Sequence, residues 1–156
     1  HKMNQPEYLP LQAEDTPTLA LDGGKINVSV VTGEFESIKG PIKTATPILS
    51  LRIFMQAGAT YTFPIPEDHN AFLYLLDGKV SLEGFGLVDG HNLVVLNTDG
   101  NSCTITAKED TRILLMAGKP INEPIATQGP FVMNSQTELM QAMRDYQMGK
   151  MGILIE

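Results

Sequence analysis

Residues 60–65, Thr60-Tyr61-Thr62-Phe63-Pro64-Ile65, place an apolar side chain at every second position. A strand with one buried face and one wet face has this period of two, because successive side chains point to opposite faces of a sheet. The same alternation occurs in three other stretches, at residues 26–30, 49–53 and 103–107. The spacing therefore predicts four strands that each bury one face.

Three further stretches are apolar without a break, at residues 71–76, 93–96 and 113–117. Continuous apolar runs are typical of strands that are covered on both faces. Turn residues recur about every ten positions, a spacing typical of a sandwich or barrel. Examples are Asp77-Gly78, Asp89-Gly90 and Asp99-Gly100. Since no helical pattern interrupts residues 25–118, we expect an all-β fold, either a jelly roll or a small barrel.

The two ends of the chain differ from this middle part. Residues 1–24 carry recurrent prolines and the turn signal Asp22-Gly23-Gly24, which predicts a linker or an arm wrapped along a sheet edge. We expect the barrel itself to occupy residues 25–133. Residues 134–156 are expected to form a helix and a tail.

The helix has a clear start signal in Ser135-Gln136-Thr137-Glu138. In such a capping box the serine hydroxyl and the glutamate side chain satisfy free backbone N–H groups of the first turn. Leu139, Met143 and Tyr146 follow at helical spacing, and Gly149 is a typical stop. This apolar stripe packs either on the domain's own sheet or on a neighbouring domain, and the first is the more general case.

Charge and composition exclude several classes of protein. The chain has 156 residues, a net charge of -7, and 11 Lys and Arg residues that do not cluster. Direct binding to nucleic acid needs clustered bases, so we expect none. No apolar run approaches the roughly 20 residues of a membrane span, so we expect no membrane partner. The single cysteine, Cys103, allows no intrachain disulfide and agrees with a reducing, cytoplasmic compartment.

Two segments near the end of the chain carry a family resemblance. They are Gly118-Lys119-Pro120-Ile121-Asn122-Glu123-Pro124-Ile125 and Gly129-Pro130-Phe131-Val132-Met133-Asn134, with the capped helix behind them. Upstream, His69-Asn70-Ala71-Phe72 precedes a strand that ends at Asp77-Gly78. Together these segments resemble the pirin family, and specifically the C-terminal half of bacterial pirin-like proteins. Because the chain begins with His, we expect it to be a fragment cut in the interdomain linker.

The resemblance implies a fold and a chemistry. Pirins are bicupins, with two jelly-roll barrels that face each other, so the expected fold is a cupin-type jelly-roll barrel with a C-terminal α-helix. A non-haem metal, usually iron, is held in the N-terminal barrel by three His and one Glu. Some members have quercetin 2,3-dioxygenase activity, and eukaryotic members act as nuclear transcription co-regulators. The expected partners are therefore the N-terminal cupin domain of the same protein and a further protein.

The family's metal-ligand positions can be located in this chain by counting. Counting back without gaps from Gly78, the ligand positions of the first cupin motif fall on Pro64, Pro66 and Asn70. With the second motif anchored on Gly90 and Gly100, its positions fall on Cys103 and Ile105. Proline, isoleucine and asparagine are poor iron ligands. We therefore expect no metal, cofactor or catalytic residue in this chain, and an iron or other divalent metal only in the N-terminal domain.

Three residues stay open as metal candidates. Cys103 shares a face with Ile105 and Ala107, which favours a small buried hydrophobe over a reactive thiolate, because no base is adjacent. His69 and His91 could form a two-histidine, one-carboxylate site with Glu67, Asp68 or Glu83. Histidines in surface turns are common, however, and no supporting shell is visible in the sequence. The predicted aromatic barrel lining could bind a small apolar ligand, but core packing is the favoured interpretation; it comprises Phe54, Tyr61, Phe63, Phe72 and Tyr74.

Two functions follow. The first is a metal-free structural and interaction domain that caps the metal-bearing barrel. The second is half of a quercetin 2,3-dioxygenase-type enzyme, in which this chain contributes loops to the substrate cleft. A lone small-molecule cupin enzyme would need a site that the sequence does not show.

Overall fold

Residues 4–5 and 7–152 are described by a computed structural model of the chain. Within them, strands dominate and one α-helix follows near the end. The chain divides into two compact units, with the division between Pro120 and Ile121. The expected all-β fold with one C-terminal helix is confirmed.

The larger sheet of the first unit contains six antiparallel strands. They are β1 (Thr18–Leu21), β2 (Ile26–Thr32), β5 (Ile48–Met55), β7 (Asn70–Asp77), β10 (Leu93–Val95) and β12 (Thr111–Gly118). Their spatial order is β1-β2-β5-β12-β7-β10, so β1 and β10 form the two edges. Strand β1 lies within the predicted N-terminal arm and pairs along β2, with Leu19 opposite Val28.

The smaller sheet of the first unit has four strands. They are β6 (Thr60–Pro64), β8 (Lys79–Leu82), β9 (Gly86–Asp89) and β11 (Ser102–Ala107), in the spatial order β6-β11-β8-β9. A short hairpin of β3 (Glu34–Phe35) and β4 (Ile38–Lys39) accompanies them. Sequentially distant strands thus pair within both sheets, as in a jelly roll.

The core takes side chains from both sheets. In all four alternating stretches, the side chains predicted to point inward do so. Val28, Leu51, Phe63 and Ile105 show this, since they are completely buried. These residues belong to one continuous hydrophobic cluster. The period of two therefore placed the inward faces of β2, β5, β6 and β11 correctly.

The turn between β7 and β8 depends on Gly78. This glycine has φ +76, and a Cβ there would overlap Thr111 Oγ1 and the carbonyl of Asp110. Thr111 is completely buried, and its hydroxyl accepts a hydrogen bond from the Lys79 N–H at 3.1 Å. Glycine is needed here both for its backbone conformation and for the close approach of β12.

The second unit contains a hairpin and the helix. Strands β13 (Ala126–Gln128) and β14 (Phe131–Met133) pair antiparallel, and helix α1 (Gln136–Gln147) contacts both. Ser135 caps α1 by accepting a hydrogen bond from the Glu138 N–H at 3.3 Å, and Gly149 follows the helix with φ +72. The predicted serine cap and stop signal are thus confirmed, while the Glu138 carboxylate accepts hydrogen bonds from the Asn134 N–H and the Ser135 hydroxyl.

The apolar stripe of α1 is shorter than predicted. Leu139 and Ala142 are buried and Met143 is half-buried, whereas Tyr146 is 64% exposed. Tyr146 instead contacts Phe131 edge to face, with ring centroids 5.9 Å apart. Among the described residues, no helix is long and apolar enough to cross a membrane.

Candidate functional site

Strands β6 and β11 carry three of the positions on which the family's metal ligands were counted, namely Pro64, Cys103 and Ile105. These strands pair antiparallel, with Cys103 opposite Phe63 and Ile105 opposite Tyr61. Directly opposite residues share one face of a sheet, so these four side chains all point toward the interior. Phe63 and Ile105 are completely buried, while Tyr61 and Cys103 are half-buried. Phe63 and Ile105 therefore belong to the packed apolar core, and Tyr61 and Cys103 pack against its edge.

The ungapped count from Gly78 fell on Pro64 and Pro66, and both are exposed, whereas Phe63 and Ile65 are buried. Alternate residues of a strand point to opposite faces, so the buried face here carries Phe63. Asn70, the third counted position, is also exposed. The inward residues Phe63 and Ile65 carry only hydrocarbon side chains and offer no ligand atom.

Cys103 lies on the inward face of β11, as predicted. Burial raises the pKa of its thiol, because removal from water disfavours the charged thiolate. Soft metals and nucleophilic chemistry both require the thiolate. This environment supports the interpretation of Cys103 as a small packed side chain.

The aromatic residues are divided between two places. Tyr61 and Phe63 lie inside, with ring centroids 4.8 Å apart. Phe35 joins them at 6.1 Å from Tyr61 and 6.0 Å from Phe63; it was missed because the two-residue strand β3 is too short for a periodic signal. The other three predicted lining residues lie on the outward face of the six-stranded sheet and are half-buried there: Phe54, Phe72 and Tyr74.

The Tyr61 hydroxyl has one polar partner at the rim of this cluster. It donates a hydrogen bond to Glu36 Oε1 at 2.7 Å. Partial burial, and then the hydrogen bond and charge of Glu36, raise the pKa of Tyr61 to about 12. The Tyr61 phenol therefore stays protonated at physiological pH and donates its hydrogen bond to Glu36.

His69 is held by a chain of polar contacts. Its Nδ1 lies 2.8 Å from Asp68 Oδ1, and Asp68 Oδ2 lies 2.7 Å from Lys119 Nζ. Hydrogen bonds from Lys119 and then from His69 hold the pKa of the Asp68 carboxyl below its usual value. The His69 side chain is only 10% exposed. Lys119 is 51 positions away from Asp68 in the sequence, so no local pattern could have revealed this partner.

The His69 side chain lines two open cavities. One, of about 490 Å³, is also lined by Cys103 and Glu83. The other, of about 820 Å³, is lined by Phe35, Glu36 and other residues of the β3 region and the following loop. The fold thus brings His69, Cys103 and Glu83 to one cavity, although 14 to 34 positions separate His69 from the other two.

His91 is in a different place from the other two candidates. It occupies the exposed turn between β9 and β10 with φ +64, and it does not line either of these cavities. In residues 4–5 and 7–152, no group of three or more His, Cys, Asp or Glu side chains is arranged to hold a metal ion. The donor set between β6 and β11, one half-buried thiol among hydrocarbon side chains, does not fit an iron site.

These features define a class: a cupin-type barrel with a continuous apolar core and, within residues 4–5 and 7–152, no group of side chains arranged to hold a metal ion. The model of the Pirin C-terminal cupin domain matches residues 50–152. The chain belongs to the pirin family and corresponds to its C-terminal cupin domain, as the sequence resemblance predicted.

Individual relatives agree with this placement. A pirin-like protein of Solanum lycopersicum is 38% identical over 97% of this chain and 52% of its own length. Pirin of Homo sapiens is 35% identical over 97% of this chain and 53% of its own length. A crystal structure of quercetin 2,3-dioxygenase from Acinetobacter baumannii superposes with a TM-score of 0.90 at 33% identity, covering 99% of this chain and 54% of that one. The chain spans about half the length of the curated relatives it matches.

Proposed function

We propose that this chain is a metal-free cupin domain that acts as the structural and interaction partner of a metal-binding N-terminal cupin in the same protein. The observation that carries the proposal is the apolar packing of the interior between β6 and β11, where Phe63 and Ile105 are completely buried. A barrel filled in this way gains stability from its core instead of holding a ligand. The iron or other divalent metal then belongs to the other half, and the compartment is the cytoplasm.

Metal analysis of the purified chain tests this proposal. The chain is incubated with Fe²⁺ under anaerobic conditions, or with Ni²⁺, and is then desalted and analysed for metal by mass spectrometry. We expect far less than one equivalent of either metal. One tightly bound equivalent that is lost in Cys103→Ala or His69→Ala would contradict the proposal and would identify the ligands. Leu87→Ala, on the outward side of β9, serves as the matched control.

A second function is supported by the solved quercetin 2,3-dioxygenase that superposes on this chain. In this alternative the intact protein is a dioxygenase of that type, and this half shapes the substrate cleft. All metal ligands would lie outside the chain. The experiment compares the full-length protein with a form that lacks this half, at equal metal content in both. A loss of turnover is expected, and unchanged turnover would count against any contribution to the cleft.

A further inference from the structure

The larger of the two cavities beside His69 has the size and the wall of a small-molecule site. Its volume is about 820 Å³, within the range of roughly 300–1,000 Å³ that is typical of ligand pockets. The described residues that line it all lie between positions 33 and 69, so the cavity belongs to the first unit. Apolar side chains from three segments line it: Phe35 of β3, Ile48 and Leu49 of β5, and Ile65 and Pro66 after β6.

The aromatic part of this wall is held in place by packing. Phe35 is 2% exposed, and its ring stacks on Phe63 with centroids 6.0 Å apart and an interplanar angle of 29°. Tyr61 contacts the Phe35 ring edge to face at 6.1 Å. An apolar surface that is already ordered binds a ligand at a smaller entropic cost than a flexible one.

The charged groups at this cavity are acidic. Glu34 and Glu36 both line it, and among the described lining residues there is no Lys or Arg. Glu34 forms an exposed ion pair with Lys39 at 3.6 Å, a kind of contact that contributes little. Within the described part of the chain, the Glu36 carboxylate accepts one hydrogen bond, from the neutral Tyr61 hydroxyl. The negative charge of Glu36 is therefore uncompensated beside an apolar wall.

The backbone fixes the position of Glu36. Glu36 and Ser37 form the two-residue turn between β3 and β4, with φ +48 and +65. Such turns usually carry Asn-Gly, because the left-handed conformation is unfavourable for residues with a larger side chain. The Tyr61 hydroxyl then orients the carboxylate at 2.7 Å. The carboxylate is thus held in one place and is not displayed on a flexible loop.

His69 supplies a second acceptor at the same cavity. Its side chain lines the cavity and is only 10% exposed. Because the ionised Asp68 carboxylate accepts a hydrogen bond from Nδ1 at 2.8 Å, the neutral ring carries its proton on Nδ1. Nε2 of the neutral ring is then an acceptor. Glu36 and His69 therefore both favour a ligand that donates hydrogen bonds.

We propose that this cavity binds an organic cation with an aromatic or aliphatic body. The apolar body lies against Phe35 and its neighbours, and the positive group pairs with Glu36. A charge-assisted hydrogen bond to a carboxylate is about twice as strong as a neutral one, so the charge selects the ligand. An anion of the same shape would meet two carboxylates and no base. The inference goes beyond the structural role proposed above, because it assigns a ligand to this half itself.

Two indole derivatives of opposite charge test this inference. The chain contains no Trp, so the fluorescence of an added indole reports its own binding. Tryptamine is positively charged at neutral pH, and indole-3-propionate is negatively charged on the same ring system. Fluorescence anisotropy titrations of the purified chain measure both affinities. We expect tryptamine to bind at least about tenfold more tightly than indole-3-propionate.

Three variants locate the binding site. Glu36→Gln removes the charge and keeps an oxygen acceptor for the Tyr61 hydroxyl, so it should weaken tryptamine binding at least about fivefold. Glu109→Gln is the matched control and should leave binding unchanged, since it removes the same charge from an exposed residue outside the cavity. Ala45→Phe adds a ring at an exposed lining residue and should weaken tryptamine binding by obstructing the cavity.

Each outcome decides the inference. Equal affinities for the two indoles, or no saturable binding of tryptamine, would overturn it. Equal losses in Glu36→Gln and Glu109→Gln would also overturn it, because they would show attraction to the net negative charge alone. Tryptamine binding that is unchanged in Ala45→Phe would contradict the site, and this variant decides the location if Glu36→Gln fails to fold. The metal analysis above does not depend on Glu36, so failure here leaves the proposed function standing.

Discussion

Cys103 on β11 lies directly opposite Phe63 on β6, inside the barrel. Here one residue of the pair is a completely buried aromatic ring and the other is a half-buried thiol. The pair therefore presents a hydrocarbon ring and one thiol to the interior, and no nitrogen or oxygen donor.

The register of β6 predicts opposite effects for two neighbouring residues. Phe63→Ala should lower the free energy of unfolding by about 3–5 kcal/mol, because it leaves a cavity in the core. Pro64→Ala, on the exposed face, should change it by no more than about 1 kcal/mol. Urea denaturation followed by circular dichroism measures both. Similar losses for the two variants would mean that β6 presents a different face to the core.

The thiol of Cys103 should react slowly. Because its pKa is raised by burial, the folded chain holds less thiolate than a free cysteine at the same pH. Iodoacetamide alkylation at pH 8 should be slower in the folded chain than in the same chain in urea, and its pH midpoint should lie above that of free cysteine. A midpoint at or below the ordinary value would indicate an activated thiol and would reopen the catalytic interpretation.

Tyr61 should titrate at an unusually high pH. The difference in absorbance at 295 nm between the wild type and Tyr61→Phe isolates this residue and should have its midpoint at about pH 12. Glu36→Gln should lower the pKa of Tyr61 only partly, because burial is the largest cause and the Glu36 hydrogen bond comes second.

The sign of the Tyr61 effect on stability follows from the raised pKa. A folded-state pKa above the unfolded value stabilises the fold fully below the ordinary tyrosine pKa of about 10. This contribution is lost as the pH rises from about 10 through about 12. Tyr61→Phe should therefore make the stability less sensitive to pH in that window. Equal alkaline sensitivity of the two proteins would contradict this.

Two glycines with the same backbone conformation should differ in their tolerance of alanine. Gly78 and Gly84 both have φ +76, so both substitutions carry the same left-handed strain, about 1 kcal/mol. Only at Gly78 would the new Cβ overlap Thr111 and Asp110, since nothing lies within 4 Å of a Cβ at Gly84. Gly78→Ala should cost about 1–3 kcal/mol more than Gly84→Ala in thermal or urea unfolding. Equal costs would show that β12 moves away from the turn freely.

Much of the fold was predictable because its signals are local. A period of two assigned the inward faces of the four alternating strands, and the capping box at Ser135 located the start of α1. The candidate site was less predictable. The ungapped count fell on Pro64 and Pro66, both of which are exposed, and counting along a chain does not register small shifts in loop length. The inward role of Cys103 was predicted correctly, since its neighbours Ile105 and Ala107 alternate with polar residues.

The sequence by itself determined that this chain is an all-β cupin domain of the pirin family, since strand periodicity and the motifs near Gly118 and Gly129 are properties of short stretches. The tertiary structure alone decided which side of each unbroken apolar run is buried. In β7 it placed Leu73 inside and Phe72 and Tyr74 outside, a distinction that a run with equally apolar faces cannot encode. It also brought Lys119 to Asp68 and Cys103 to the cavity of His69, because such contacts depend on which distant strands pair.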